Sequence, residues 1–399
     1  MFEFADFQGF SIARLPRIIF GSGKMREIAE QTAHYGKRVL LITGARSLEQ
    51  SKYWNNLQHD FQAAGLEYTQ VKITGEPGPQ QIDQIVAQFF SADIEVVLGI
   101  GGGSVLDAAK AVAGLLPSGT SVLEYLEGVG PERPYQPPAR PFIAVPTTAG
   151  TGSEATKNAV LSQSGNNGFK KSFRHDALVA EVAIIDPDWL KSCPTDLIAA
   201  DGMDAFTQLL ESYVSTRANP LTDALALSGM MAFRDSFFHI WQGQGSAEDY
   251  ARLAYASLLS GICLAQTGLG SVHGLASPLG AFFPIPHGVV CGTLLAEATD
   301  INITALQSRQ ADSLALKKYA QIGHLLARDE TLATTIAQQN LVQRLRDWTA
   351  QLQLPRLSAY QMQESDIARV VANSRGSSMK TNPVLLTDAE IATLLQRRL

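Results

Sequence analysis

The chain has 399 residues, of which 45% are hydrophobic and 18% are charged, and its formal net charge is −6. This balance is typical of a soluble globular protein and argues against intrinsic disorder. A nucleic-acid-binding protein would need a basic face, and the sequence shows none, so we expect no nucleic-acid partner. A chain of this length usually folds as more than one domain.

Two features of the sequence bear on the cellular compartment. The first ten residues contain Glu3 and Asp6 and lack the basic and apolar regions of a secretory signal. No apolar run reaches the roughly 18 residues that span a bilayer. The three cysteines, Cys193, Cys263 and Cys291, are far apart in apolar surroundings, so we interpret them as reduced and mostly buried thiols. We therefore expect a cytoplasmic protein with no membrane segment.

The first half of the chain alternates short apolar runs with amphipathic stretches. The apolar runs are typical of strands that are buried on both faces. Predicted strands cover 39–43, 67–73, 95–100, 141–146 and 182–187, and predicted helices cover 47–64 and 80–92. This alternation predicts an open parallel sheet with helices on both faces.

Beyond residue 187 the strand pattern fades and apolar residues recur at helical spacing. Predicted helices cover 196–215, 221–242, 247–267, 312–328 and 334–352. We therefore expect an α/β dinucleotide-binding domain over residues 1–187 and an all-helical domain over residues 188–399. The proline-rich stretch 131–141 is interpreted as a surface connection.

A glycine-rich motif, GIGGGSVLDAAK, runs from Gly99 to Lys110 between a predicted strand and a predicted helix. Glycines allow a phosphate to approach the backbone, and the helix N-terminus offers free N–H groups and the positive end of the dipole. Ser104 adds a hydroxyl donor. The alternative is a plain strand-to-helix turn. In the usual Rossmann fingerprint the glycines follow the first strand, so this is not an ordinary Rossmann arrangement.

A second polar loop, PTTAGTGSE at residues 146–154, also follows a predicted strand. It could line a ribose or a nicotinamide, or it could be a polar loop that ends in a helix N-cap. Open α/β sheets usually bind ligands at the carboxyl ends of neighbouring strands. The two loops together therefore favour a nucleotide site.

A candidate metal site lies in the helical half. Asp204 and Gln208 are four residues apart, which places them on one face of a predicted helix. His273 and His287 lie in segments rich in glycine and proline. A carboxylate and two imidazoles form an ordinary divalent-metal set. The alternatives are packed, hydrogen-bonded histidines and an aspartate favoured by the helix dipole.

The order and spacing of these segments resemble the iron-containing (group III) alcohol dehydrogenases. This family lies in the dehydroquinate synthase-like group, with glycerol dehydrogenase and maleylacetate reductase. The resemblance extends from LITG at Gly44, through GGGSVLDAAK, PTTAGTGSE, IIDP, DGMDAFTQ and VHGLASPLGAFFPIPHG, to Pro383. It implies a dinucleotide domain that faces a helical domain, with a divalent metal, Fe²⁺ or Zn²⁺, in the cleft.

The resemblance also implies roles for individual residues. The glycines and Ser104 would hold the pyrophosphate, and the threonines would line the nicotinamide ribose. The implied cofactor-binding residues are Gly44, Arg46, Gly101, Gly102, Gly103, Ser104, Asp107, Thr147, Thr148, Thr151, Thr156, Asn158 and Lys170. The implied metal ligands are Asp204, Gln208, His273 and His287, and Asp204, His273 and His287 are also the expected catalytic residues.

Three positions depart from the family's usual pattern. Gln208 stands where the family has a histidine ligand, which leaves the choice between iron and zinc open. Ser277 stands where a histidine is the proposed proton relay, which leaves proton transfer to water, to ribose hydroxyls or to another group. Gly44 stands where NAD-preferring relatives place an aspartate, and Arg46 follows it, which suits a 2′-phosphate. We therefore predict NADP as cofactor, with NAD as the alternative.

The predicted function is hydride transfer between the nicotinamide and a small alcohol or aldehyde, with the metal acting as a Lewis acid. One alternative is a metal-independent reductase of the maleylacetate reductase kind. Another is a lyase of the dehydroquinate synthase kind, and a third is a non-catalytic nucleotide-binding protein. Relatives commonly form dimers, so we expect a homodimer or a larger homo-oligomer.

Overall fold

The computed structural model describes residues 9–165 and 168–399. The acidic start of the chain, with Glu3 and Asp6, lies outside the described residues. The strands are β1 (Arg17–Phe20), β2 (Arg38–Gly44), β3 (Glu67–Ile73), β4 (Val96–Gly101), β5 (Phe142–Pro146), β6 (Asn158–Gln163), β7 (Phe169–Arg174) and β8 (Val182–Ile185).

Helices α1 to α4 lie between the strands, and helices α5 to α14 follow β8. The first four are α1 (Ile28–Ala33), α2 (Trp54–Ala63), α3 (Pro79–Phe89) and α4 (Gly103–Leu115). The others are α5 (Thr195–Val214), α6 (Pro220–Arg234), α7 (Phe237–Trp241), α8 (Ala247–Thr267), α9 (Ser271–Phe282), α10 (His287–Arg309), α11 (Leu314–Ala327), α12 (Thr334–Gln351), α13 (Ile367–Ala372) and α14 (Asp388–Arg397).

Six strands form a parallel sheet in the order β1-β8-β5-β4-β2-β3. Strands β4, β5 and β8 are buried along their whole length, as expected of strands covered on both faces. The predicted open parallel sheet, followed by a helical C-terminal part, is confirmed.

The helix predicted over 47–64 is wrong in its first part, because α2 begins only at Trp54. Residues 45–53 form bends and turns instead. There the Ser51 hydroxyl donates to the carbonyl of Leu48 and accepts from the backbone N–H of Tyr53. Side-chain bonds of this local kind compete with helical backbone bonds.

Two strand features were not predicted. Strand β1 is a short edge strand that pairs only with β8 in the described sheet. Strands β6 and β7 form an antiparallel hairpin outside the main sheet, and the hairpin packs against α4 and α9. Their alternation of apolar and polar residues is weak, so their pairing was not apparent from the sequence.

Several predicted helices of the second half are confirmed within one or two residues of their ends. The helix predicted over 221–242 is wrong as one element, because it breaks between Arg234 and Phe237 into α6 and α7. At the break the hydroxyl of Ser236 donates to the carbonyl of Ala232, a bond that bends helices. Helices α9, α10, α13 and α14 were not predicted.

Helix α10 is the one described helix that is long and apolar enough to cross a membrane on its own. However, 83% of its apolar stretch is buried inside the protein. It packs on α5, α9 and α12, which is typical of the central helix of a large core. Helices α8 and α9 meet the same requirement of length and apolar character only when taken together, and the chain bends by 98° between them.

Two glycines bring the sheet and the helices into direct backbone contact. The loop after β5 touches α8, where a Cβ on Gly261 would lie 2.1 Å from the carbonyl oxygen of Gly152. Gly152 itself has φ of +59°, the left-handed region that favours glycine. The hydroxyl of Ser260 also donates to the carbonyl of Gly150 at 3.2 Å. The loop is therefore positioned by the helical half of the molecule.

Candidate active site

The two glycine-containing loops lie side by side at the carboxyl edge of the parallel sheet. They follow β4 and β5, which are neighbours, and the backbone N–H of Thr147 donates to the carbonyl of Gly101 at 3.0 Å. Strand β2 ends at Gly44 on the other side of β4. Strand β3, which follows β2 in the chain, lies on the outer side of β2, and β5, which follows β4, lies on the opposite side of the β2–β4 pair. Such a switch point is where open α/β sheets bind ligands.

The glycine motif leaves the N-terminus of α4 open. A Cβ on Gly101 would lie 2.6 Å from the side chain of Val105, and one on Gly103 would lie 2.7 Å from Oγ1 of Thr151. The structure shows no side-chain cap on this helix end. The first N–H groups of α4 are therefore available for an anion such as a pyrophosphate.

The second loop is fastened to α4 by the buried ammonium of Lys110. Its Nζ donates to the Ser153 carbonyl at 2.9 Å, to the Thr156 hydroxyl at 2.9 Å and to the Asn158 carbonyl at 2.8 Å. Burial lowers the pKa of Lys110, although nearby Asp107 acts in the opposite direction. This set of contacts around Lys110, which we call the Lys110 brace, includes three predicted cofactor residues, Asp107, Thr156 and Asn158.

Asp107 extends the same brace to the hairpin. One of its oxygens accepts a hydrogen bond from the Ser153 hydroxyl, and the other accepts from the backbone N–H of Val160 at 3.0 Å. Both groups belong to the segment that follows β5. Asp107 therefore positions the loop, and any contact of its own with a cofactor stays a prediction.

Lys170 and Arg46 occupy very different surroundings. The side chain of Lys170 is only 9% exposed and forms an ion pair with Glu76. Its charge is close enough to His287 to help lower the pKa of that imidazole. Arg46 is exposed, two residues beyond the end of β2 at Gly44. Its contact with a cofactor stays a prediction.

Asp204, His273 and His287 converge in space, as the metal prediction requires. Nε2 of His273 lies 3.1 Å from Oδ1 of Asp204, and Nε2 of His287 lies 3.7 Å from the same oxygen. The two imidazole rings meet edge to face with their centroids 5.4 Å apart. Asp204 is on α5, His273 on α9 and His287 at the start of α10.

The structure adds to these three side chains a further possible metal ligand, Cys291, that was not predicted from the sequence. Sγ of Cys291 lies 3.6 Å from Nε2 of His273 and 3.8 Å from Nε2 of His287. One donor atom from each of Asp204, His273, His287 and Cys291 lies within 4.8 Å of all the others. The available signal was the spacing of His287 and Cys291, four residues apart in what proves to be one helix.

Gln208 lies beside this cluster, one turn after Asp204 on α5. Its amide nitrogen is 3.4 Å from Oδ2 of Asp204, and its amide oxygen is buried without a hydrogen-bond partner. A buried acceptor without a partner is costly for a folded protein. The donor set and the unpaired amide both fit a cation at this position.

A buried carboxylate orients His273 from the other side. Oε2 of Glu211 lies 2.7 Å from Nδ1 of the ring, and Oε1 accepts from the backbone N–H of Val272 at 2.7 Å. Metal-ligating histidines usually donate their second nitrogen to such a carboxylate. Glu211 was not predicted, although it lies seven residues after Asp204 on the same helical face.

Without a metal, charge within the cluster favours an ionised Asp204 beside a neutral His287 and a protonated His273. Burial lowers the pKa of His273, but its contacts with Cys291, Asp204 and Glu211 outweigh burial and raise that pKa well above its ordinary value. Burial disfavours the charged form of Asp204, but His287 and His273 outweigh burial and lower its pKa to about 2. Burial lowers the pKa of His287 to about 4. Burial raises the pKa of Cys291 to about 12, so the thiol keeps its proton when no metal is bound. A neutral imidazole and a carboxylate are the ligand forms that divalent metals require.

The cluster adjoins the nucleotide loops. Burial raises the pKa of Asp201, three residues before Asp204 on α5, to about 7, and the Thr148 side chain on the second loop is close enough to act in the opposite direction. A Cβ on Gly150 would lie 2.9 Å from Cβ of Asp201. Ser277 is half-buried on α9, one turn after His273. The structure thus brings the predicted nicotinamide loop and the predicted metal ligands to one place.

The cysteines outside the cluster are free, as predicted. Cys263 is buried and Cys193 is half-buried, and Cys291 is also free of a disulfide. Burial raises the pKa of both Cys193 and Cys263 to about 12. These two thiols donate to backbone carbonyls and lie outside the metal-ligand cluster.

Comparison with known proteins gives matches along almost the whole chain. Residues 16–187 match the family model for the iron-containing alcohol dehydrogenase, and residues 198–399 match the C-terminal model of the Fe-containing alcohol dehydrogenase family.

Individual relatives and a solved structure agree with these models. The NAD-dependent methanol dehydrogenase of Bacillus methanolicus is 27% identical over 96% of this chain and 98% of its own length. The probable alcohol dehydrogenase EutG of Escherichia coli is 30% identical over 81% of this chain and 80% of its own. The crystal structure of a 1,3-propanediol oxidoreductase superposes with a TM-score of 0.88 at 25% identity, covering 98% of this chain and 100% of that one.

Proposed function

The chain belongs to the iron-containing alcohol dehydrogenase family and is a nicotinamide-dependent alcohol dehydrogenase, and we propose that it works on a small alcohol or aldehyde with NADP(H) and a divalent metal held by Asp204, His273 and His287. The observation that carries this proposal is the convergence of these three side chains, from three different helices, beside the loops that follow β4 and β5.

The proposed metal-binding residues suit a divalent metal ion in their chemistry and in their position. A divalent ion bound there supplies Lewis acidity toward the oxygen of an alcohol or aldehyde. Asp204 contributes a buried negative charge, and Glu211 holds His273 so that Nε2 faces Asp204. The amide oxygen of Gln208 is the further predicted ligand, and its lack of another partner supports that role.

The residues that we propose to bind the dinucleotide lie on two loops, one for each part of the molecule. Gly101, Gly102, Gly103 and Ser104 would receive the pyrophosphate at the N-terminus of α4, and Thr147, Thr148 and Thr151 would face the nicotinamide ribose. The nicotinamide supplies or accepts the hydride. The Lys110 brace holds Thr156 and Asn158 in place, so that the loop keeps its shape when the dinucleotide binds.

The preference for NADP over NAD rests on the end of β2. Gly44 leaves no carboxylate to repel a 2′-phosphate, and the exposed guanidinium of Arg46 follows it. The name of the methanol dehydrogenase relative specifies NAD. A side-by-side measurement of both cofactors is therefore part of the test.

We also propose the division into domains 1–187 and 188–399, a cytoplasmic location and a homodimer or larger homo-oligomer. The limits of the two matched family models support the division. Exposed apolar side chains on or near the edge strand β1, those of Phe10, Ile12 and Ile18, support self-association at that edge. Light scattering on the purified protein measures the oligomeric state.

A metal-independent reductase is the second candidate, and Gln208 is the observation that favours it, because an amide oxygen binds metal more weakly than imidazole. Loss of activity on chelation, with recovery on addition of zinc or iron(II), supports the metal-dependent reaction. Full activity after chelation supports the second candidate instead.

The test of the proposed function is an absorbance assay of nicotinamide oxidation with a panel of small aldehydes, run with both NADPH and NADH. Stoichiometric oxidation of the cofactor, with lower KM for NADPH, is expected. A lyase of the dehydroquinate synthase kind would turn over substrate with no net change in nicotinamide absorbance. That result, or no turnover with any aldehyde, would overturn the proposal.

A further inference from the structure

We infer that the Cys291 thiolate is a ligand of the metal, so that the site is an Asp204, His273, His287 and Cys291 set that selects zinc over iron(II). This inference deepens the proposed function and rests on a metal being held by the first three residues. The cysteine supplies the strong fourth donor that Gln208, with its neutral amide, does not.

The distances among the four donors match those of a metal site. Ligands of a tetrahedral zinc ion lie about 2.0–2.3 Å from the metal, which separates neighbouring donor atoms by about 3.3–3.7 Å. Sγ of Cys291 lies 3.6 and 3.8 Å from the two imidazole nitrogens, and Oδ1 of Asp204 lies 3.1 and 3.7 Å from the same nitrogens. The sulfur is therefore at ligand distance from both imidazole nitrogens and within 4.8 Å of the Asp204 carboxylate.

The surroundings of Cys291 differ from those of the other two thiols. Cys193 and Cys263 each donate to a backbone carbonyl, at 3.5 and 3.6 Å. The sulfur of Cys291 faces two imidazole nitrogens and Asp204 instead, and it is fully buried. Its position one helical turn after His287 places both side chains on the same face of α10.

Charge balance is compatible with the same four ligands, and the Glu211 carboxylate behind His273 adds a further negative charge near the site. A buried dication needs nearby negative charge, because isolated charges are costly away from water. Asp204 supplies one negative charge and the Cys291 thiolate supplies another, while the two imidazoles coordinate as neutral ligands. The four side chains then neutralise a divalent ion completely. Gln208 adds no charge, and its unpartnered amide oxygen stays available as a weaker, further ligand beside these four.

The thiolate also decides which metal is preferred. Thiolate and imidazole ligands suit zinc, whereas oxygen ligands suit harder cations. On binding, the S–H bond of Cys291 breaks, a sulfur–metal bond forms and the proton leaves to solvent. No electrons are transferred, so the step needs no oxidant.

The test is cobalt(II) substitution followed by absorption spectroscopy, which reports on the ligands without any catalytic assay. The purified protein is freed of metal with a chelator and loaded with cobalt(II), and cobalt content is measured separately. Wild type is compared with Cys291→Ser and Cys291→Ala. The control is Cys263→Ser, which changes a buried thiol outside the cluster. Circular dichroism and thermal unfolding check that each variant is folded.

We expect a sulfur-to-cobalt charge-transfer band in wild type and in Cys263→Ser, and no such band in either Cys291 variant. Zinc affinity of the Cys291 variants should fall by at least about 10-fold, since even residues that only support a ligand contribute 10–100-fold. The ratio of zinc affinity to iron(II) affinity should decrease in the same variants.

The outcomes separate this inference from the proposed function. Wild type that takes up one cobalt per chain without the charge-transfer band overturns the cysteine ligand and leaves the other three ligands in place. A band that persists in Cys291→Ser has the same meaning. Wild type that binds neither cobalt nor zinc overturns the cysteine ligand and the metal site together. A Cys291→Ala protein that does not fold leaves the Cys291→Ser comparison to decide.

Discussion

The carboxylate of Glu211 lies 2.7 Å from Nδ1 of His273, while Nε2 of the same ring lies 3.1 Å from Asp204. The first contact fixes the tautomer and the orientation of the ring, because a carboxylate can only accept a hydrogen bond. Nε2 is therefore the ring nitrogen left to bind a metal, which would displace the proton that the raised pKa of His273 keeps on the ring. Glu211 acts through His273 as a positioning residue.

Replacement of Glu211 by Gln should lower zinc affinity by about 10–100-fold, since the amide can donate to Nδ1 and stabilise the wrong tautomer. Competition with a chromophoric chelator measures the affinity. The control is Glu297→Gln on α10, whose carboxylate pairs with Arg346 and Arg397. Equal zinc affinity in wild type and Glu211→Gln would contradict the positioning role.

The end of β2 should set the choice of cofactor. Arg46→Ala should raise the KM for NADPH by about 10–100-fold, the loss expected for one charge-assisted hydrogen bond, and leave the KM for NADH unchanged. Gly44→Asp should shift preference toward NADH. Its Cβ would lie 3.3 Å from Oγ of Ser47, so the Ser47 side chain must move slightly to accept it. Arg344→Ala, at an exposed position on α12, is the control. If the ratio of the KM values for NADPH and NADH is unchanged in Arg46→Ala, Arg46 does not select the cofactor.

The contact between Gly152 and Gly261 should tolerate no side chain. Gly261→Ala places a methyl group 2.1 Å from the Gly152 carbonyl oxygen, so the loop and α8 must separate. The free energy of unfolding should fall by roughly 1–3 kcal/mol, and dinucleotide affinity should fall with it. Denaturant unfolding and calorimetric titration measure the two effects. Gly376→Ala, where no neighbour lies within 4 Å, should change neither.

The stability of the protein should depend on the ionisation of Glu154. Burial raises the pKa of Glu154 to about 7, although its own backbone N–H and Lys110 act in the opposite direction. The native protein therefore holds this proton more tightly than the unfolded chain. The resulting stabilisation is complete below about pH 4.5 and is lost as the pH rises through about 7.

Glu154→Gln should remove this dependence. Relative to wild type, the variant should gain on the order of 3 kcal/mol in free energy of unfolding between pH 5 and pH 8.5. Denaturant unfolding of both proteins across this range gives the difference directly, because the other titrating groups are common to both. A difference that stays constant with pH would show that Glu154 does not titrate in this range.

The centre of the sheet was predictable because its strands are continuous apolar runs, of which β2 and β4 end in glycine and β5 ends in proline. Strand β3 was predicted with its observed ends, and the loops after β4 and β5 fall where the motifs placed them. Helices α9 and α10 were missed, because their glycines and Pro278 have low helix propensity and mask the pattern. Tertiary packing in the core outweighs that propensity.

Three of the four residues in the metal-ligand cluster could be predicted from the sequence, but their convergence in space could not be predicted. Asp204 and His273 are separated by about 70 residues, and nothing local indicates that α5, α9 and α10 place them together. Cys291 was interpreted as an ordinary buried thiol because its helix was not recognised. Glu211 gave no signal of its own, since its partner on α9 becomes visible only in three dimensions.

Oxidoreduction by this protein should depend on a metal held by Asp204, His273 and His287. The direct measurement is a titration of chelator-treated protein with zinc or iron(II), with aldehyde-dependent oxidation of NADPH followed by absorbance. Activity should rise linearly to one metal per chain, while folded His273→Ala and His287→Ala stay at least about 100-fold below wild type. Full activity before any metal is added, or wild-type rates in both variants, would contradict the proposed mechanism.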